Sequence, residues 1–473
     1  MNETRDLAGW IVDLKWGDIP TEIIEYSKVL MLDTVGCMLG GSIQESNRAA
    51  LRYTRAMGGT PQATVVNYGD RTNVYNAAFL NGSFGHGWDF DDHVHGGSPH
   101  SMSATTAAAM AVGEWQLSTG RAFLEAWIAG YEANNRIGAA CGPAFGQRGF
   151  HHVGTIGSFA GTAVASKLLG LDEWKTENAI SITVSQAAGT FQHSQTTGGA
   201  IKRNHMGFAA SNGVRSALLA QEGITGAREA LEGKCGFVLC HSGEQNDMAA
   251  ISRNFGTEWY TTRAAIKNYS NCASQWGLLD LLYALKNRHD LKTETIETIT
   301  FWIKPGSAWM VGTIKGEDVK DIFGAQFSAR YGVGMALVLG DNRPKSYQQH
   351  VFPYGRWKEI VNVAKRVNIL GDPDMELKSI KKDIFGYSRC EIMLKNGQVI
   401  KGESEASPKG FPENAMTREE RLAKYYAQAS MVLTQENAER IVQYIEGIEE
   451  MDDIRPLMRL LASTDAKFVP SQR

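Results

Sequence analysis

"SPKGFPENAMTREERLAKYYAQASMVL", Ser407–Leu433, is the stretch on which the fold of this chain turns. Its first ten residues hold Pro408, Gly410 and Pro412 and read as a loop. Thr417 and Glu420 then stand at capping-box spacing and open a helix, and helical pattern persists almost to the C-terminus. The segment before it has a different character. "ETIETITFWIKPGSAWMV", Glu294–Val311, is a β-rich run ended by Pro-Gly, and "GYSRCEIMLKNGQVIKGESE", Gly386–Glu405, is a hairpin around Asn396-Gly397. Between them, Asp321–Gly340 and "GRWKEIVNVAKRVNIL", Gly355–Leu370, read as helices.

From the N-terminus to about residue 265 the pattern is helical. "EIIEYSKVLMLDTVGCMLGG", Glu22–Gly41, ends in paired glycines that read as a stop. His100–Gly120 and Thr119–Ala140 form two further helices, the second capped by Ser118 or Thr119. Gly154–Leu171 and Met206–Ile224 carry Gly, Ala and Ser where a core would carry Leu, which lets helix axes approach closely. Helix at both ends around a β-containing insert predicts a mainly α protein. A large helical domain built from residues 1–265 and 406–473 then carries a smaller α+β lid of residues 266–405.

The totals exclude several classes. With 43% hydrophobic and 21% charged residues in 473, the composition is globular, not disordered. The net charge of −3 and a densest basic run of only "KSIKKD" from Lys378 argue against nucleic acid. No apolar stretch reaches the ~18 residues of a membrane span, and "MNETRDLAGW" lacks a signal-peptide layout, so a cytoplasmic protein is expected. Six scattered cysteines fit reduced core thiols. Cys235, Cys240 and His241 have no second ligand pair at zinc spacing.

Four stretches carry chemistry. "GHGWDFDDHVHGGSPHS", Gly85–Ser101, packs three aspartates and four histidines in front of a helix near Ser101; metal binding, acid/base catalysis and a plain polar turn all fit it, and His93 and His95 form an H-x-H pair. "RGFHHVGTIGSF", from Arg148, places His151 and His152 before another helix, where solvent-exposed histidines are the bland reading. "TTGGAIKRNHMGFAAS", from Thr196, offers Lys202, Arg203 and His205, without the frame of a P-loop; a solvated basic turn fits equally. "AAIKNYSNCASQWGLLDLLYAL", from Ala264, sets Lys267 and Cys272 at the junction of body and lid, with an ordinary surface lysine as the alternative. No G-x-S-x-G, H-E-x-x-H or nucleotide-binding glycine motif is present in its required setting. Histidine, aspartate and lysine remain, the types that remove a proton beside a carboxylate and protonate a leaving group.

In order and spacing these stretches, with "LDTVGCMLGG", "QFSARYGVGMAL" and the tail from Ser407, resemble the MmgE/PrpD family, which includes 2-methylcitrate dehydratase, cis-aconitate decarboxylase and iminodisuccinate epimerase. The resemblance implies a helical domain from both chain ends, an α+β lid with the active site between them, a homodimer, and catalysis without metal or organic cofactor. It places Asp89 and His100 at the first-loop catalytic pair, His151 at the histidine of the second loop and Lys202 at the lysine of the third. His93, Lys267, Cys272 and Tyr331 fall at substrate-contacting positions, His93 where the decarboxylase has threonine. Cys272 and Gln275 stand where decarboxylases call for histidines, and the first loop is about one residue longer. The expected activity is therefore a dehydratase-like hydro-lyase on a small di- or tricarboxylate. An imino- or aminodicarboxylate epimerase is the alternative, and cis-aconitate decarboxylation stands behind it.

Overall fold

The computed structural model describes residues 2–195 and 199–462. The chain forms two compact units: one of residues up to Phe191, Arg203–Ile266 and Thr417 onward, the other of Gln192–Lys202 and Lys267–Met416. The protein is mainly α, with a single larger sheet among the described residues.

In the first unit the Thr21–Ser42 helix buries every residue from Leu30 to Ser42, as a helix apolar on all faces must. The helix ends at Ser42, one residue past the paired glycines read as its stop. The glycines also serve close approach: a Cβ on Gly41 would lie 1.9 Å from the Phe84 carbonyl oxygen. The end of the Val74–Gly85 helix, and with it the start of the Gly85–Ser101 loop, rests directly on this spot. Ser101–Trp115 and Gly120–Gln147 follow, the latter opened by the Thr119 hydroxyl, which accepts from the Ala122 N–H at 3.2 Å. The small-residue Gly157–Leu168 helix packs against both and buries Gly157–Ser166.

The tail returns to this unit. Thr417 and Glu420 form the expected capping box at the head of the Arg418–Ala429 helix, with bonds of 3.2 and 2.7 Å. From that helix the buried Lys424 reaches Asp33 at 2.8 Å and donates to the Phe90 carbonyl at 2.8 Å, joining both chain ends to the Gly85–Ser101 loop. Four cysteines are buried, but Cys235 and Cys240 are exposed, which corrects the core reading for those two. Cys235 precedes the short Phe237–Ser242 helix and Cys240 lies within it, while His241 of that helix turns inward onto the Phe145 ring instead of joining them.

The second unit is built on a four-stranded sheet in the order Val367–Gly371, Ile296–Ile303, Arg389–Leu394, Val399–Glu403; the first pairing is parallel and the others antiparallel. The Asn396-Gly397 hairpin is present, with Gly397 at φ +87 where a side chain would be strained. One reading is corrected. Val367–Gly371 is a strand, not the end of a helix, because buried Val367 and Ile369 alternate with exposed neighbours and find a partner in Ile296–Ile303. The β-rich run ends before Pro305-Gly306, as expected, and a helix, Pro305–Val311, begins there, with proline in the first turn where its missing N–H is harmless. The Ser407–Met416 loop stays with this unit, held by the Lys409 N–H on Asp280 at 2.8 Å and by stacking of Phe411 on Phe385. No helix among the described residues is long and apolar enough to cross a membrane.

Candidate active site

The Gly85–Ser101 loop is not a polar surface turn. Among its titratable residues His86, Asp89, Asp91, Asp92 and His100 are all buried. Asp89 and His100 both sit in left-handed backbone, at φ +50 and +64, a conformation that costs an L-residue roughly 1–2 kcal/mol. Strain of this kind persists where the surroundings over-determine it. Here Arg203 donates to the Gly87 carbonyl at 2.7 Å and Lys424 holds that of Phe90. Val94 and His93 pair with Ala264–Ala265 as a two-residue antiparallel strand.

Asp91 is the centre of the loop. His86 Nδ1 lies 2.9 and 3.0 Å from its two oxygens, His100 Nδ1 lies 3.3 Å from Oδ1, and the Ser103 hydroxyl donates to Oδ2 at 2.7 Å. Burial pushes the Asp91 carboxyl up, but His86 and His100 outweigh it and hold it well below the usual carboxylate range. His100 thus stands between two carboxylates, its Nδ1 facing Asp91 and its Nε2 3.7 Å from Asp89 Oδ1. Asp92 behaves oppositely. Burial, then the charge of Asp91, pushes its carboxyl up to about 8, while it accepts from the Tyr131 hydroxyl at 2.8 Å and the Met102 N–H at 3.2 Å.

Donor atoms of His86, Asp89, Asp91 and His100 lie within 4.8 Å of one another, a set that could ligate a cation; in the structure they engage one another. The H-x-H pair does not gather: the strand ends at Val94, before alternation could bring His95 to the face of His93, so His93 lies beside His100, ring centroids 6.5 Å apart, and His95 is exposed.

The second loop is also buried. His151 caps the short His152–Thr155 helix, and its Nδ1 lies 2.7 Å from Nδ1 of His205, on the Ile201–Gln221 helix. His152 turns to the Phe145 ring instead, and burial lowers its imidazole to about 4. In the third stretch, whose Thr196–Gly198 lie outside the described residues, Lys202 is buried with its ammonium 5.4 Å from the Phe327 ring centre. Lys267 is fully buried, donating to the Asn271 carbonyl at 3.2 Å and lying 5.4 Å from the centre of the Trp276 ring. The readings of exposed histidines, a solvated basic turn and a surface lysine are thereby overturned for His151, Lys202 and Lys267. Cys272 packs its sulfur 3.4 Å from that of Met310. Tyr331 donates its hydroxyl to the His350 carbonyl at 2.7 Å, and burial pushes the phenol up.

Sequence reasoning passed over His86, Asp91 and His205 as site residues. The first two were visible in "GHGWDFDD" as chemistry-bearing types, but nothing in their spacing selects Asp91 from three aspartates.

A helical body that buries His–Asp and His–His pairs stands in one chain with an α+β unit that buries two lysines. Residues 5–249 match the MmgE/PrpD N-terminal domain and residues 269–450 the MmgE/PrpD C-terminal domain, so the chain belongs to the MmgE/PrpD family of enzymes. Its relatives include the cis-aconitate decarboxylase-like protein oryM of Aspergillus oryzae, 28% identical over 98% of this chain and 97% of the relative. It is also similar to the cis-aconitate decarboxylase of Aspergillus terreus, at 27% over 97% and 95%, and that of Homo sapiens, at 25% over 99% and 96%.

Proposed function

We propose that the protein is a lyase of a small di- or tricarboxylate, most simply a hydro-lyase of the 2-methylcitrate dehydratase kind. The observation that carries this reading is the pair of buried imidazoles, His100 and His151, each with Nδ1 engaged by a protein partner. Imidazoles held in place beside a carboxylate or a second imidazole are the groups that general acid/base catalysis uses.

One of the two histidines takes the proton from the carbon beside a carboxylate, and the C–H electron pair forms the double bond as hydroxide leaves. The other protonates that hydroxide, and water departs. Asp89 orients His100 from its Nε2 side. Lys202 and Lys267 take the substrate carboxylates; a buried ammonium gains most from an anionic partner in a water-poor site. His93 and Cys272 line the substrate. Tyr331 contacts it through its ring, since its hydroxyl is committed to a carbonyl.

The names of the relatives favour a second reading, decarboxylation of cis-aconitate. Against it stand Cys272 and Gln275: the one offers a thiol beside a thioether, and the other an amide donating to the Gln326 carbonyl at 2.7 Å, where the resemblance calls for imidazoles. NMR of 2-methylcitrate, citrate, cis-aconitate and aspartate-derived acids incubated with the protein in D2O, with and without a chelator, separates the readings. An unsaturated acid formed by loss of water, unaffected by chelation, is expected. Loss of CO2 from cis-aconitate would establish the second reading, deuterium uptake without loss of either would mark an epimerase, and a metal requirement would overturn the assignment of roles to the first loop.

A further inference from the structure

We propose that His205 is a positioning residue that sets which nitrogen of His151 exchanges protons, so that the two imidazoles work as one proton-sharing unit. The significance for catalysis rests on the role given above to His151; the pairing itself does not.

The geometry leaves few protonation states. At 2.7 Å two bare nitrogen lone pairs repel, and two N–H groups collide. One Nδ1 therefore carries a proton and the other accepts it. In the neutral pair the rings are complementary tautomers: the donor ring has a bare Nε2 and is a base, while the acceptor ring holds Nε2–H and is an acid. If His151 is the donor, it accepts a substrate proton on Nε2 as its Nδ1 proton crosses to His205 Nδ1. The C–H electron pair stays on the substrate, one N–H bond forms at His151 Nε2, one breaks at its Nδ1, and the positive charge moves onto His205. The reverse transfer returns the proton through the same nitrogen.

Both rings are held in place. Phe191 meets the His151 ring edge-on at 4.7 Å, and the His151 N–H donates to the Gly189 carbonyl at 3.1 Å. Gly154 makes room for His205: a Cβ there would come within 3.3 Å of the imidazole Cγ and 2.8 Å of the Ala188 carbonyl oxygen. Both histidines are buried, so water does not compete for the bond.

The test is long-range 1H–15N NMR of protein labelled with 15N-histidine, assigned with His151→Gln and His205→Gln. The expected result is opposite Nδ1 states on the two rings, and a tautomer mixture for His151 in His205→Phe. Two bare Nδ1 atoms in the native protein would overturn the proposal. In the turnover assay His205→Phe should lower kcat about 10- to 100-fold with KM within about twofold, and His205→Gln, which keeps a polar partner, should regain part of the loss. Native kcat in a folded His205→Phe would also overturn it. Should that variant fail to fold, His205→Asn keeps a polar side chain but removes the ring, and a kcat loss of at least the His205→Gln size is expected; native kcat in a folded His205→Asn overturns the proposal. Complementary tautomers together with a dispensable His151 would keep the pairing and remove the catalytic role.

Discussion

The two histidine loops solve one problem with different chemistry. His100 is oriented by a carboxylate, Asp91, which it shares with His86; His151 is oriented by another imidazole, His205. The first arrangement buries charge of both signs and draws on close ion pairs to do so, whereas the second needs no net charge at all. The first loop is therefore the more demanding element: its residues adopt left-handed backbone and its carbonyls are held by Arg203 and by Lys424 from the far end of the chain. The second pairs its backbone with that of Gly189–Phe191. Identical side chains thus acquire different working states from what their Nδ1 meets.

The comparison breaks most visibly in turnover. His100→Gln and His151→Gln should each lower kcat by roughly 10² or more, because each removes an acid/base group of the proposed mechanism; a near-native rate in either removes that loop from the mechanism. Stability should then separate the loops. Asp91→Asn leaves two buried imidazoles without their shared anion and is expected to cost about 3–5 kcal/mol in urea unfolding, whereas His205→Gln should cost much less. Equal costs would show that the first loop is not charge-compensated in the way described.

The finest distinction is within the first loop. Asp92 is held protonated up to about 8, so between its unfolded value near 4 and that pH the folded state binds the extra proton, and stability falls as pH rises through the window. Asp91 is shifted the other way, and its contribution is lost only below the ordinary carboxylate range. Asp92→Asn, which keeps an acceptor for Met102 and a partner for Tyr131, should flatten the decline between pH 5 and 8 by up to about 1.4 kcal/mol per pH unit. An unchanged slope would mean that the carboxyl is ionised throughout.

Local rules carried much of the fold. The capping box at Thr417, the cap at Thr119 and the Asn396-Gly397 hairpin depend on residues within a few positions of one another, and each is found where the sequence puts it. Local rules misled at Val367–Gly371, where a strand needs a neighbour to exist. The candidate site divides in the same way. That Asp89, His100, His151, Lys202 and Lys267 are chemistry-bearing was legible from residue type and family pattern.

By itself, then, the sequence determined a helical protein with an α+β insert and four loops rich in acid/base groups, because periodicity, caps and composition are short-range properties. Only the tertiary structure decided which groups meet. Asp91 is singled out from Asp89 and Asp92 by two imidazoles and a hydroxyl that converge on it, and His205 joins His151 across 54 residues of chain. A hydrogen bond is made or lost over a few tenths of an ångström, and spacing along a sequence does not fix distances on that scale between separate helices.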